Sequence, residues 1–237
     1  MTPLAPKFVE RVWGSTSLAP WFPSPPPSSA GMPYGEVWFE GESLLIKFLF
    51  PAEKLSVQVH PADAYAKANE GCNGKTEMWH IMRAKPGATI ALGFREVLTT
   101  EDARAAALDG SIMDLLKWHP VQRGDTFMIP AGTVHAMGEG LVVAEVQQVS
   151  DITYRLYDYG RGRPLHIDKG FDVAELKPYE PSETRCTYFE THHVEPGLLV
   201  EPRSEEDYLI GLTSGHVHRI DRTVQATEES LHTWVPE

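Results

Sequence analysis

Two cysteines, Cys72 and Cys186, are all that this 237-residue chain contains. They lie far apart without a C-x-x-C spacing. That argues against a disulfide framework and against a cysteine zinc site, and it fits a reducing compartment. No apolar run approaches the roughly 18 residues of a membrane span. The N-terminus lacks the basic start and apolar core of a signal peptide. The expectation is a cytoplasmic protein with no membrane partner. Basic residues are scarce as well: 21 Lys and Arg stand against 33 Asp and Glu, a formal net charge of −12. Phosphate backbones want a basic surface, so nucleic acid is not an expected partner. A small anionic substrate held by a few local cations remains compatible with that balance. Helical periodicity is confined to a few short stretches.

Short strand patterns fill the rest. KFVERVWG, within residues 1–19, reads as an edge strand. Residues 20–33 carry six prolines and form a loop. Gly35–Glu40 and Ser43–Phe50 follow as strands, the second interrupted by Lys47, which either snorkels from a strand end or meets substrate. Leu55–Pro61 alternates with period two, so Ser56, Gln58 and His60 share one face. Residues 62–74 form a polar insert with helical character. In Lys75–Met82 the residues Lys75, Glu77, Trp79 and Ile81 share a face; His80 points the other way, as a packing or surface histidine. Pro86–Phe94 is a turn and a strand. Residues 99–118 break the β pattern: Thr99 or Thr100 caps a helical segment with Glu101 and Asp102 in its first turn, and Gly110 divides it. His166–Leu176 reads as a further short helix.

The stretch Gly124–Arg155 organises the chain. Asp125–Ile129 is a strand, a Pro-Ala-Gly turn leads to His135, and Leu141–Gln148 is an alternating strand. Glu145 and Arg155 are charges set in apolar strands, which a fold avoids unless they are paired or bound. Many short strands with one helical insert indicate an all-β sandwich or barrel, whose alternate residues face inward. The inward polar set would be Ser56, Gln58, His60, Lys75, Glu77, His135 and Glu145. Burying such groups unpaired costs about 1–3 kcal/mol each and more for charges. A zinc-like ion held by Gln58 Oε1, His60, Glu77 and His135 would relieve much of that cost.

Gly124, Pro130, Gly132 and His135 match the second half of the cupin signature, G-x5-P-x-G-x2-H, without a gap. The first half, normally H-x-H followed closely by Glu, is altered: Gln58 stands in the first position and Glu77 lies seventeen residues beyond His60. LSVQVHP, GKTEMWHI, IPAGTVHAMG and AEVQQVSDITYRLYDYGR together resemble type I mannose-6-phosphate isomerases of the shorter bacterial form. So do ERVWG, GEVWFEGE and LLIKFL. The resemblance covers about residues 8–175. It implies a cupin jelly-roll barrel, one Zn²⁺ per chain and interconversion of mannose 6-phosphate and fructose 6-phosphate. Carried over by motif, Gln58, His60, Glu77 and His135 match the metal ligands. Arg155 matches the catalytic arginine, and Ser56, Lys75 and Glu145 match residues lining the substrate pocket.

Chemically, Lys75 could relay a proton if burial lowers its pKa, or simply bind charge; Glu145 could be the base or orient a hydroxyl. Lys47, Arg161 and Arg163 are further candidates for phosphate contact. Two other readings stand beside this one. His60, Glu77 and His135 would also suit a 2-His-1-carboxylate iron oxygenase, and the chain could bind a sugar phosphate without turning it over. Residues 1–177 are expected as the catalytic cupin domain, with the helical insert near 99–118. Residues 178–237 are expected as a shortened, degenerate second β unit. Its His216 and His218 mimic H-x-H without a following ligand, so no second metal is expected there. Monomer and homodimer are both compatible with the sequence.

Overall fold

A computed structural model describes residues 1–236. Two antiparallel sheets form the walls of an all-β, cupin-type barrel. The six-stranded wall runs in the order Lys7–Ser15, Tyr34–Glu40, Leu44–Leu49, Leu141–Gln148, Glu77–Ala84 and Thr126–Ile129. The five-stranded wall runs Tyr154–Tyr157, Val57–Val59, His135–Met137, Thr89–Phe94 and Leu116–Pro120. Between them lies an apolar core that includes Trp79, Ile81, Ile90, Leu92, Met137 and Val143. These are alternate residues of their strands, as the period-two pattern requires.

Each wall is covered on its outer face. Val57, Val59, Ala136 and Leu156 pack against the helices Thr100–Asp109 and Ile167–Val173 through Ala103, Ala106, Ala107 and Phe171. Thr99 caps the first of these helices by accepting from Asp102 N, and Gly110 ends it in the left-handed region at φ 90°. The outer face of the six-stranded wall buries Ile46, Phe48, Met78, Ala144 and Val146 under a third sheet. That sheet comprises Thr2–Pro3, Val217–Arg219, Asp207–Gly211, Ser230–Trp234 and Glu190–Val194, and contributes Phe189, Tyr208, Ile210 and Leu231. The C-terminal β unit is therefore packed as a layer on the barrel, with the chain's first residues pairing along its edge. A two-stranded ribbon, Leu199–Val200 with Val224–Gln225, covers part of its far side.

The helical expectation over 99–118 ends three residues too late. A short helix, Ile112–Leu115, follows the first, and Leu116–Pro120 is a strand paired with Thr89–Phe94. The apolar spacing of Ile112 and Leu116 suits a helix, but the open wall edge offers backbone partners, and tertiary pairing overrides local propensity. The insert at 62–74 contains the helix Asp63–Asn69, and the expected helix at 166–176 is Ile167–Val173.

Candidate metal centre and pocket

Gln58 sits between two neighbours on the five-stranded wall. Its ladder partners are His135 on one side and Arg155 on the other. Directly paired residues project to the same face, so this row turns an amide, an imidazole and a guanidinium toward the interior. His60 follows one residue after the strand. Glu77 opens a strand of the opposite wall, paired with Gln147. From sequence, the Gly124–Arg155 stretch with His135 is expected across the barrel from the polar face of LSVQVHP, and the structure corrects that layout. His135 does not face Gln58 and His60 across the barrel; it adjoins Gln58 in the same sheet, and Glu77 alone comes from the other wall. The turn before His135 depends on Gly132, whose φ is 91°. A Cβ there would come 3.2 Å from both the Glu175 side chain and Val173 O. Gly132 N donates to His60 O at 2.8 Å, so this glycine ties one histidine's turn to the other's backbone.

His60, Glu77 and His135 bring ligand atoms within 4.8 Å of one another. His60 Nε2 lies 3.5 Å from Glu77 Oε2, and His135 Nε2 lies 3.4 Å from Glu77 Oε1. Glu77 has no exposed surface, and among the described residues no donor reaches its Oε1. Its Oε2 is ion-paired with Lys75 Nζ at 2.6 Å. Each imidazole places Nδ1 against a backbone carbonyl: His60 on Ile152 O at 2.8 Å and His135 on Thr133 O at 2.9 Å. With the proton on Nδ1, each Nε2 is an acceptor beside the carboxylate: that of His60 accepts from Lys75 Nζ at 3.1 Å, and that of His135 lies 3.2 Å from Gln58 Nε2. Burial drives the pKa of His60 well below its ordinary value and that of His135 down to about 4, so both rings are neutral. Two neutral imidazoles and a buried carboxylate with one oxygen free are a donor set that suits a divalent cation.

Gln58 stands at the edge of this cluster. Its Nε2 is 3.2 Å from His135 Nε2, and its Oε1 accepts from Ser56 Oγ at 3.2 Å. A carboxamide can be turned end for end with little change in shape. Turned so, Oε1 joins the cluster and Nε2 donates to the Ser56 hydroxyl. The residues present therefore fit a bound cation with Gln58 as a fourth ligand.

A pocket of about 300 Å³ opens beside this centre. Ser56, Gln58, Lys75, Glu145 and Arg155 line it together with Lys47, Arg163 and His166. Glu145 is 3% exposed and held at both oxygens: Trp79 Nε1 donates to Oε2 at 2.8 Å, and Lys47 Nζ lies 3.3 Å from Oε1. Lys47 does not snorkel. It is buried, 4.8 Å above the Trp38 ring and 3.8 Å from Asp151. The lowered pKa on which a proton-relay role for Lys75 depends is not found. Burial does pull it down, but the Glu77 and Glu145 carboxylates outweigh that and hold it above its ordinary value, so it remains an ammonium. Arg155 is half-buried, with Nε donating to Pro164 O at 3.2 Å. Arg163 lines the pocket while Arg161 does not.

The lining residues not singled out in the sequence include Arg11, Trp13, Glu36, Asp151, Thr153 and His166. Glu36 had a signal of the kind that singled out Glu145, a carboxylate within the apolar strand YGEVWFE. It is buried and paired with Arg11 at 3.0 Å. Elsewhere, His80 packs between the barrel and the third sheet, 6.1 Å from the His193 ring. His216 is exposed and His218 half-buried, and among the described residues neither joins a metal-binding cluster. Both cysteines are free. Among the described residues, no helix is long and apolar enough to cross a membrane.

No family model matches the chain. Curated relatives do. It is 36% identical to the Bacillus subtilis mannose-6-phosphate isomerase ManA, over 72% of this chain and 67% of that protein. The Streptococcus mutans mannose-6-phosphate isomerase is 40% identical over 66% of this chain and 51% of that protein. A probable mannose-6-phosphate isomerase of Bacillus subtilis, GmuF, is 40% identical over 73% of this chain and 53% of that protein. The chain thus spans about half the length of the last two relatives. Among solved structures, a mannose 6-phosphate isomerase from Bacillus subtilis superposes with a TM-score of 0.74 at 25% identity, covering 100% of this chain and 95% of that one. A variant phosphomannose isomerase from Salmonella typhimurium shares the fold at a TM-score of 0.76 and 14% identity, with both chains covered in full. On its alignment with ManA and the fold it shares, this chain belongs to the mannose-6-phosphate isomerase family.

Proposed function

We propose that the chain is a metal-dependent aldose–ketose isomerase that interconverts mannose 6-phosphate and fructose 6-phosphate. The observation that carries this reading is Glu77, a fully buried carboxylate with one oxygen left without a donor, set between two neutral imidazoles beside a pocket rich in cations. We assign one Zn²⁺ per chain to His60, Glu77, His135 and Gln58. All four offer nitrogen or oxygen donors of the kind zinc accepts. One mannose 6-phosphate isomerase of this fold, at a TM-score of 0.71 and 14% identity, was solved bound with zinc and yttrium. When bound, the ion supplies a positive charge that steadies sugar oxygens as charge develops on them.

Aldose–ketose exchange moves a proton between C1 and C2 through an enediol or enediolate. Glu145 is a buried carboxylate at the pocket that can take up that proton, and Lys75, held as an ammonium, offers positive charge and N–H donors to the developing oxyanion. Trp79 and Lys47 hold Glu145 in place, so it meets the substrate in one orientation. Arg155 presents a permanently charged fork for an oxyanion or a phosphate. Ser56 steadies the amide of Gln58. The pocket lies within the ~300–1,000 Å³ range of small-molecule sites. Free Cys72 and Cys186 support a cytoplasmic setting.

The reading is tested in D₂O with the zinc-loaded protein. Isomerisation by proton transfer leaves deuterium at C1 of fructose 6-phosphate or C2 of mannose 6-phosphate, read by NMR. Consumption of oxygen with an iron-loaded sample, and no deuterium in the sugar, would transfer the site to oxygenase chemistry instead.

A further inference from the structure

The loop between the strand Tyr154–Tyr157 and His166 is built around one buried carboxylate. Asp158 is 3% exposed. Its Oδ2 accepts from Arg163 Nε at 2.7 Å, and its Oδ1 accepts from Arg163 Nη2 at 2.5 Å and from Arg161 Nη1 at 3.4 Å. The backbone around it is tightly specified. Tyr159, Gly160 and Gly162 all lie in the left-handed region, at φ 55°, 74° and 76°. A tyrosine adopts that conformation only where its surroundings hold it there. Here its hydroxyl donates to Leu55 O at 3.0 Å, Tyr157 meets its ring edge-on at 5.1 Å, and Arg161 lies 5.0 Å over its face. Arg161 also reaches Glu53 at 3.1 Å. Leu55, the residue Tyr159 grips, and Arg163, the residue Asp158 grips, both line the catalytic pocket.

This arrangement fixes one guanidinium at two points. The Nε and one Nη of Arg163 are committed to Asp158. The remaining N–H groups are left for a ligand in the pocket. Arg155 stands at the same end, its Nε on Pro164 O, one residue beyond Arg163. Two guanidiniums presented together suit a doubly charged phosphate, whose oxygens accept paired N–H donors.

Resting on the isomerase reading for its ligand, the geometry points to Asp158 as a positioning residue: it aims Arg163 at the phosphate end of the substrate. Asp158 touches no reacting atom. Its negative charge, taken alone, opposes phosphate binding. Its worth lies in holding a flexible side chain in one rotamer before the ligand arrives, which lowers the ordering cost of binding.

These two effects have opposite signs, and that makes the test sharp. In the zinc-loaded full chain, binding of inorganic phosphate is followed by calorimetry and turnover of mannose 6-phosphate by steady-state kinetics. For Asp158→Asn, phosphate affinity should fall about tenfold or more, the order expected for a misaligned charge-assisted contact. KM should rise in parallel, while kcat changes much less. If Asp158 acts only as a charge, its neutralisation tightens phosphate binding, and that result overturns the proposal. Arg163→Lys keeps the charge and loses the two-point grip, and it decides the matter even if Asp158→Asn folds poorly. It should show the same loss, and adding Asp158→Asn to it should cost nothing further. Losses that add, or an Arg163→Lys affinity equal to wild type, overturn the proposal. Because phosphate binding is read without turnover, absence of isomerase activity alongside Asp158-dependent phosphate binding would overturn the isomerase reading and leave this one standing.

Discussion

Glu77 and His135 stand 3.4 Å apart, carboxylate Oε1 to imidazole Nε2, both fully buried, and among the described residues no donor reaches that Oε1. Taking a carboxylate out of water costs several kcal/mol, which a single ion pair such as that of Glu77 Oε2 with Lys75 does not always recover. A bound cation removes that cost, so metal and stability are coupled. Exhaustive chelation should lower the melting temperature, and added Zn²⁺ should restore it. Glu77→Gln should retain the fold yet bind zinc at least tenfold more weakly, measured by competition with a chromogenic chelator. Equal zinc affinity in that variant would remove Glu77 from the ligand set.

Among the described residues, Lys47 is the one cation within salt-bridge distance of Glu145. Replacing it with methionine keeps most of the apolar stem but leaves a buried carboxylate with a single indole partner. Breaking a buried pair from one side costs roughly 3–5 kcal/mol. Lys47→Met should lower stability by an amount near the bottom of that range, since Trp79 still donates to Glu145. Urea denaturation of the zinc-loaded protein measures it. A change below about 1 kcal/mol would place Lys47 among the weak surface pairs.

The insert that carries Lys75 to the site hangs on Asp63. Its Oδ1 accepts from Gly74 N at 2.8 Å and from Gln148 Nε2 at 2.9 Å, and Gln148 Oε1 in turn accepts from Thr76 N at 2.9 Å. Asp63→Ala leaves two donors without partners next to Lys75 and Glu77. The expected cost is about 1–3 kcal/mol of stability. Zinc affinity and kcat should fall with it, because misplacement by about 1 Å is enough to impair a site. Thermal melts and metal titration of this variant give both numbers. Unchanged zinc affinity would show that the insert and the metal site are independent.

Glu206 joins the third sheet to the barrel. Its carboxylate accepts from Ser43 N at 2.8 Å, Leu44 N at 3.2 Å and Tyr208 Oη at 2.9 Å. Burial pushes its pKa up, but these donors outweigh burial and hold it below the ordinary glutamate value of 4.5. A carboxyl lowered on folding stabilises the protein above its unfolded pKa, and that contribution is lost as pH falls through the folded value. Wild type should therefore lose stability in acid more steeply than Glu206→Gln, starting near pH 4.5 and continuing below it. Melting curves of both proteins across that range give the comparison. Parallel curves would contradict the assigned shift.

Much of the barrel was legible because its strands alternate. LSVQVHP announced a polar face, and Ser56, Gln58 and His60 do lie on the pocket side of their strand, with Val57 and Val59 buried behind it. The spacing from Gly124 to His135 located the turn that seats one imidazole. Charges set inside apolar strands marked Glu145, and Lys47 was noticed by the same contrast. Pairing between distant strands was not legible. Local pattern could place His135 on a strand but could not show that Gln58 lies beside it while Glu77 comes from the opposite wall. The helix-to-strand change at Leu116 likewise depends on an open sheet edge that no local window contains. Asp151 was passed over because a polar loop residue next to a strand carries no periodic signal. It gains meaning only from Arg11 and Lys47, at 3.7 and 3.8 Å.

Metal-dependent isomerisation at the cluster of His60, Glu77 and His135 ties turnover to bound zinc. The most direct test titrates Zn²⁺ into chelated protein while fructose 6-phosphate formation from mannose 6-phosphate is followed by a coupled assay. Turnover should rise with zinc occupancy and level off at about one ion per chain, the stoichiometry a single four-ligand site allows. Full occupancy without turnover, or turnover indifferent to chelation, would contradict the account.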